Sequence, residues 1–335
     1  MTDPAGRTLY SADDSVDRRT ADRAGRRGGG VGGPGDQAGR ALNDVHHDPP
    51  FLDSPSEYPA DRVATRVRQD RPMDIDNSVV AITGAGSGIG RALAESFAAA
   101  GARLVLGDVD DAGLAVTAER LAADGADVST VHADASSADD IAAMAAAQPV
   151  DVFVANAGVM GAPGLGTEAD WDRILDVNLR AHVRAATLLV PQWQARGRGH
   201  FVSVASAAGL LTQIGAAGYA VSKHAAVGFA EWLAVTYGDD GIGVTCVCPM
   251  GVDTPLLNAI RDAADAEVRL GAESVVQAGA VISPREVAEQ TVAAVRDGRF
   301  LVLPHPAVRD MLAGKVADHD RWIAGMRRYQ RSLRQ

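Results

Sequence analysis

SVVAITGAGSGIGRALAESFAAAGARLVLGD, residues 78–108, decides the fold. SVVAIT (78–83) is a short apolar run that suits a buried strand. RALAESFAAAG (91–101) has helical periodicity and stops at Gly101, a usual end signal. ARLVLGD (102–108) reads as the next strand. Between the first strand and the helix lies TGAGSGIG (83–90), whose Gly84, Gly88 and Gly90 follow T-G-x-x-x-G-I-G. A strand, a Gly-rich turn and a helix in this order place a helix N-terminus where it can hold a pyrophosphate. The common G-x-G-x-x-G is not met, because Ile89 stands where its third glycine would fall. Asp108 ends the second strand, where a carboxylate can accept from both ribose hydroxyls of an adenosine. The bland reading is a turn Asp, since Asp110 and Asp111 follow.

The same alternation continues downstream. DVSTVHAD (127–134) is a strand ending in Asp134, placed to lie against an adenine. A helix of small residues follows over 137–147, and VDVFVANAG (150–158) is a buried strand broken by Asn-Ala-Gly. One long helical pattern covers 168–195. Asn156 and Asn178, two of only five Asn in the chain, fall inside apolar elements. A buried amide is costly unless satisfied, so each needs a specific partner. Asn156 reads as a cap on backbone groups, Asn178 as a functional residue. GHFVSVAS (199–206), GVTCVCP (243–249) and FLVLP (300–304) complete seven strands. Residues 250–282 read as a loop with helical character. SPREVAEQTVAAVRDG (283–298) is a capped helix, with Ser283 as N-cap, Pro284 first and Glu286 third. The expected architecture is α/β: one Rossmann-like domain, a doubly wound parallel sheet of about seven strands with helices on both faces.

SAAGLLTQIGAAGYAVSK (206–223) carries the chemistry. Tyr219 and Lys223, at i and i+4, share one helix face. A free phenol titrates near ~10 and is a poor base at neutral pH. A cation beside it favours the phenolate, which makes the pair a plausible acid/base unit. The chain has thirty Arg but only two Lys, Lys223 and Lys315. A Lys at 223 suggests a site that wants a compact ammonium. The alternative is a surface Tyr beside a solvated Lys.

Composition excludes several classes. With 335 residues and 47% hydrophobic content the chain can bury a large core. No apolar run reaches membrane-spanning length. Net charge is −11, almost all of it after residue 72, which argues against nucleic acid. The only cysteines, Cys246 and Cys248, point the same way on a strand and cannot easily bridge. With no secretory signal at the start, a reducing, cytoplasmic setting is expected. Residues 1–72, with RRGGGVGGPG and mixed charge, read as disordered or as an extension from a start assigned upstream of Met73. The catalytic domain is expected over 73–305 and a basic amphipathic helical tail over 306–335.

Together TGAGSGIG, Asp108, Asp134, Asn156-Ala157-Gly158, Asn178, Ser206 and YAVSK (219–223) resemble the short-chain dehydrogenase/reductase family over 77–304. The resemblance implies a catalytic tetrad of Asn178, Ser206, Tyr219 and Lys223. In that reading Ser206 hydrogen-bonds the substrate oxygen and Tyr219 exchanges the hydroxyl proton. Lys223 holds the nicotinamide ribose and lowers the Tyr pKa, and Asn178 positions a water. It implies a cofactor site of Gly84, Gly88, Ile89, Gly90, Asp108, Asp134, Asn156, Ala157, Gly158, Tyr219, Lys223, Pro249, Val252 and Thr254, with no metal. The family's Pro-Gly appears here as Pro249-Met250-Gly251. The cofactor expected is NAD rather than NADP, from Asp108 and the absence of a basic residue at Ser87, Val109 or Asp110. Arg91 is expected to point away from the ribose. The expected activity is an NAD(P)-dependent interconversion of secondary alcohol and ketone. The substrate is a small hydrophobic molecule closed over by 253–282, with Leu256, Leu257, Ile260, Val268, Leu270, Val275 and Val276, and with Met160, Leu210, Leu211 and Ile214 as further lining. A homotetramer or homodimer is expected, paired through 168–195 and 219–238, with Ala225, Ala226 and Ala230 in close helix contact. The alternatives are a silent nucleotide-binding regulator on the same fold, or a lyase or epimerase.

Overall fold

The computed structural model describes residues 72–335, so the expectations for the N-terminal segment lie outside the described residues, apart from Pro72. The decisive stretch folds as read: β1 (Val79–Thr83), α1 (Gly88–Ala99) and β2 (Arg103–Asp108). Then come α2 (Asp111–Ala123), β3 (Val128–His132), α3 (Ala138–Ala146) and β4 (Val152–Ala155). The sheet runs β3-β2-β1-β4, then β5 (Gly199–Val204), β6 (Ile242–Val247) and β9 (Leu301–Val302), all parallel. β1 pairs with β2 on one side and β4 on the other, so the strand order reverses there and opens a crevice at the carboxyl ends. Continuous apolar runs form the central strands because helices cover both faces: every residue of β1, β4 and β5 is buried. α1 and α9 (Pro284–Asp297) pack together on one face, α3 and α5 (Ala181–Arg196) on the other.

Three departures from the sequence reading matter for the site. The long helix is not uniform: α4 (Glu168–Leu175) passes through a π-helical turn at Asp176–Arg180 before α5, and Asn178 lies in that turn. The segment expected as a loop with helical character holds two formed helices, α7 (Pro255–Arg261) and α8 (Ala266–Ala278). A two-stranded parallel ribbon closes its base, β7 (Gly251–Val252) against β8 (Val281–Ile282). The C-terminal tail is two helices, α10 (Ala307–Ala317) and α11 (His319–Leu333). The capping box of α9 forms as read, with the Ser283 and Glu286 side chains each bonding the other's backbone N–H. No described helix is long and apolar enough to cross a membrane.

Candidate active site

A cavity of about 390 Å³ opens at the carboxyl ends of the strands. It brings together every expected catalytic and cofactor residue except Asn178. Gly84, Gly88, Ile89 and Gly90 line it at the α1 end, then Asp108, Asp134 and Asn156-Ala157-Gly158, then Ser206, Tyr219, Lys223, Pro249, Val252 and Thr254.

The Gly-rich turn is tight. Gly84 has φ +69°, and a Cβ on Gly90 would sit 1.9 Å from the Gly84 carbonyl oxygen. α1 has no side-chain cap and no acidic residue in its first turn. Its leading N–H groups and the positive end of its dipole therefore remain available to an anionic group. Thr83 and Asn156 lock the floor. Thr83 Oγ1 accepts from the Asn156 and Ala157 N–H groups at 3.0 and 3.1 Å. Asn156 Nδ2 donates to Thr83 O at 2.9 Å and Gly84 O at 3.2 Å. Asn156 is thus the cap on backbone groups that its position suggested.

Asp108 serves the turn. Its Oδ2 accepts from Gly86 N at 2.7 Å and its Oδ1 from Asp110 N at 2.9 Å. Each oxygen keeps a lone pair for a further donor. Asp134 is pinned similarly, with Oδ1 accepting from Ser136 N and Oγ at 2.8 and 2.7 Å. Arg91 does not line the cavity. Its guanidinium bonds Gly86 O, and its Nε donates to Thr117 Oγ1 at 2.9 Å, which braces the back of the turn.

α6 (Ala217–Tyr237) presents Tyr219 and Lys223 on one face, and Lys223 Nζ lies 5.8 Å from the Tyr219 ring centroid. Tyr219 as a residue is part-exposed, but its phenol is enclosed. Burial pushes that phenol above its ordinary value, and the Ser206 hydroxyl beside it pulls it back. The expected lowering by Lys223 is therefore not what dominates here. Burial brings Lys223 itself down to about 8. Its Nζ donates to Val204 O at 3.0 Å. Ser206 is held at the N-terminus of a short 3-10 turn, accepting from Ala208 N at 3.1 Å and donating to Pro249 O at 3.4 Å.

Asn178 stands one layer behind the cavity, fully buried. Both its amide hydrogens are spent, on Val159 O at 2.9 Å and Ser222 Oγ at 3.0 Å. Its Oδ1 accepts from Val159 N at 2.9 Å. Only Gly158 separates it from Lys223: a Cβ there would lie 3.4 Å from Asn178 Oδ1 and 3.5 Å from Lys223 Nζ. The side chain's one remaining polar capacity is thus an Oδ1 lone pair.

The Pro249-Met250-Gly251 departure is splinted by His305, which the sequence reading missed. Met250 N–H donates to His305 Nδ1 at 3.1 Å, so the ring proton is on Nε2 and donates to Gly251 O at 3.0 Å. Met250 and Gln213 also line the cavity, as does Arg173. The His305 signal, a lone His after the last strand in LVLPHP, has no local meaning in one dimension. Of the expected substrate lining, Leu256, Leu257, Ile260, Val275 and Met160 reach this cavity, while Leu210, Leu211, Ile214, Val268, Leu270 and Val276 do not. Leu270 packs into the core and Val276 faces out.

The short chain dehydrogenase profile matches residues 78–265. The 1-deoxy-11-beta-hydroxypentalenate dehydrogenase of Streptomyces avermitilis is 33% identical over 262 residues, covering 75% of this chain and 93% of that one. A short-chain dehydrogenase/reductase from Burkholderia phymatum, solved in complex with NAD, superposes with a TM-score of 0.67 at 33% identity, over 74% of this chain and 96% of its own. A short-chain dehydrogenase from Sphingobium yanoikuyae in complex with NADPH gives a TM-score of 0.62 at 27% identity, over 72% and 94%. With the Gly-rich turn, the doubly wound sheet and the Tyr219–Lys223 face on one cavity, these matches place the chain: it belongs to the short-chain dehydrogenase/reductase family, oxidoreductases that act on CH–OH groups with a nicotinamide cofactor.

Proposed function

We propose that the protein interconverts a secondary alcohol and a ketone on a hydrophobic body, with Tyr219 exchanging the hydroxyl proton. The observation that carries this reading is the Tyr219 phenol, faced by Lys223, at the wall of one cavity that Ser206 also lines. When bound, the nicotinamide supplies the hydride chemistry. Ser206 offers its hydroxyl to the substrate oxygen. Tyr219 gives or takes the proton at its phenol oxygen. Lys223, at about 8, is mostly protonated at neutral pH, which favours the phenolate form when the proton leaves. Asn178 positions rather than reacts: it fixes the Val159 loop and holds Ser222, next to Lys223, on the same helix. Leu256, Leu257, Ile260 and Val275 make the substrate side apolar. The test is reduction of NAD across a panel of secondary alcohols; no turnover with any member would defeat the reading.

For the cofactor, we propose NAD over NADP. Asp108 would face a 2′-phosphate with like charge. The basic side chains lining the cavity among the described residues, Arg173 and Lys223, sit on α4 and α6, which pack on each other, whereas Asp108 ends β2. Arg91, the nearby cation, is spent on Gly86 O and Thr117. Losing a charge-assisted hydrogen bond costs about 1.5–3 kcal/mol, which is roughly tenfold or more in kcat/KM. Asp108→Ala should narrow the NAD/NADP ratio; an unchanged ratio reduces Asp108 to its bonds with Gly86 and Asp110.

We also propose a homo-oligomer. Val183 and Leu188 on α5, and Val221, Trp232 and Val235 on α6, are exposed apolar residues on the expected pairing helices. Ala226 and Ala230, expected in that contact, are fully buried inside the protomer instead. A monomer mass by light scattering would contradict an oligomer.

A further inference from the structure

The space beyond Ser206 does not end at the first cavity. A second cavity, of about 290 Å³, shares Ser206, Gln213, Met250 and Val275 with it. Its far wall is made by Met311, Trp322, Met326 and Tyr329, all on α10 and α11. These helices lie after the stretch that matches the family profile.

That wall is bonded down on both sides. Lys315 Nζ donates to Leu210 O and Leu211 O, each at 2.8 Å, just past Ser206. The same ammonium lies 5.1 Å from the Trp322 ring centroid. Two adjacent carbonyls and an indole face suit a compact ammonium better than a planar guanidinium. This accounts for the second of the chain's two lysines. On the other side Tyr329 Oη donates to Ser274 O at 2.9 Å, and Arg334 pairs with Glu267 at 2.9 Å. Both partners are on α8, so α10 and α11 together bridge the loop after Ser206 and the α8 element.

The Lys315 ammonium and the Tyr329 hydroxyl are used in holding this wall. Towards the cavity it offers the indole of Trp322 and the thioethers of Met311 and Met326, facing Met250, Leu211 and Val275. Thioether side chains adapt to irregular apolar shapes. Pockets of this character bind the apolar body of a ligand, with few polar groups to orient it. We propose that α10 and α11 form the distal wall of the substrate site, and that the substrate is a ketone or secondary alcohol carrying a bulky apolar body whose far end rests on Trp322 and Met326. This rests on the alcohol–ketone reading above.

Two measurements test it. First, kcat/KM is compared for cyclohexanol and the larger decalol. Met326→Trp, which fills the second cavity, is expected to lower the decalol value at least tenfold more than the cyclohexanol value. Equal effects on both alcohols overturn the proposal. Second, decalone is titrated onto the enzyme with oxidised NAD, and the Trp322 emission is isolated by subtracting Trp322→Phe. This readout needs no turnover and no stable Met326 variant. A saturable change in Trp322 emission supports the proposal, and stands even if neither alcohol reacts, in which case only the alcohol–ketone reading fails. No Trp322 response at saturating decalone overturns it.

Discussion

At the residue scale, Tyr219 is caught between opposed effects. Enclosure raises its phenol, while Ser206 favours the ionised form. Removing the hydroxyl keeps the ring and deletes the proton path. Tyr219→Phe is expected to lose about 10²–10⁴-fold in kcat, the usual acid/base contribution, with NAD affinity little changed. Near-normal turnover in that variant would take Tyr219 out of the chemistry. Its local pattern, Y-x-x-x-K, was legible because helix periodicity alone puts i and i+4 together. The balance of effects on the phenol was not legible, because burial is a property of everything packed around it.

At the scale of elements, the α1 turn is the strictest piece of backbone in the site. A methyl on Gly90 would overlap the Gly84 carbonyl at 1.9 Å, and the struck atom is backbone that cannot swing aside. Gly90→Ala is expected to destabilise the fold by about 1–3 kcal/mol, as overpacking does. It should also weaken NAD binding, since the turn must open. Thermal melts with and without NAD check both; a variant that melts and binds like the wild type would show that the turn has slack. The π-helical turn at Asp176–Arg180 shows the opposite limit of reading. Its residues keep ordinary helical spacing in sequence, and only packing against the Val159 loop and α6 explains where Asn178 points.

At the scale of the whole molecule, two buried imidazoles tie stability to pH. Burial holds His182 and His200 down at about 3, with Lys223 adding to the effect on His182. Both bond neutral partners, Ser203 and Thr245. In the unfolded chain a His titrates near ~6.5. Between those values the unfolded state binds more protons, so stability falls as pH drops below about 6.5. From pH 6.5 to 5 each should cost about 1.5 kcal/mol by linkage. Urea melts at the two pH values measure this, and equal midpoints would refute it. Met73 and Ile75 are buried in the core cluster. A chain starting at Met73 should therefore fold and keep its activity, whereas one starting at Asn77 should lose stability. A large drop in Tm for the chain starting at Met73 would sink the boundary.

What the sequence determined by itself was everything that depends on short spacing. Apolar runs and glycines at 78–108 specify β1, α1 and β2, because strand and helix periods and a tight turn are local physics. The Tyr219–Lys223 pair and the α9 capping box were visible for the same reason. Only the tertiary structure decided which distant side chains share a cavity. His305 reaches back to the Met250-Gly251 turn, and Asn178 turns out to stand behind the cavity wall. Lys315 crosses a hundred residues to the carbonyls after Ser206. Such contacts come from crossover connections and helix packing that bring strand ends and a C-terminal tail to one place. A one-dimensional pattern carries no record of that convergence, because no period links its members.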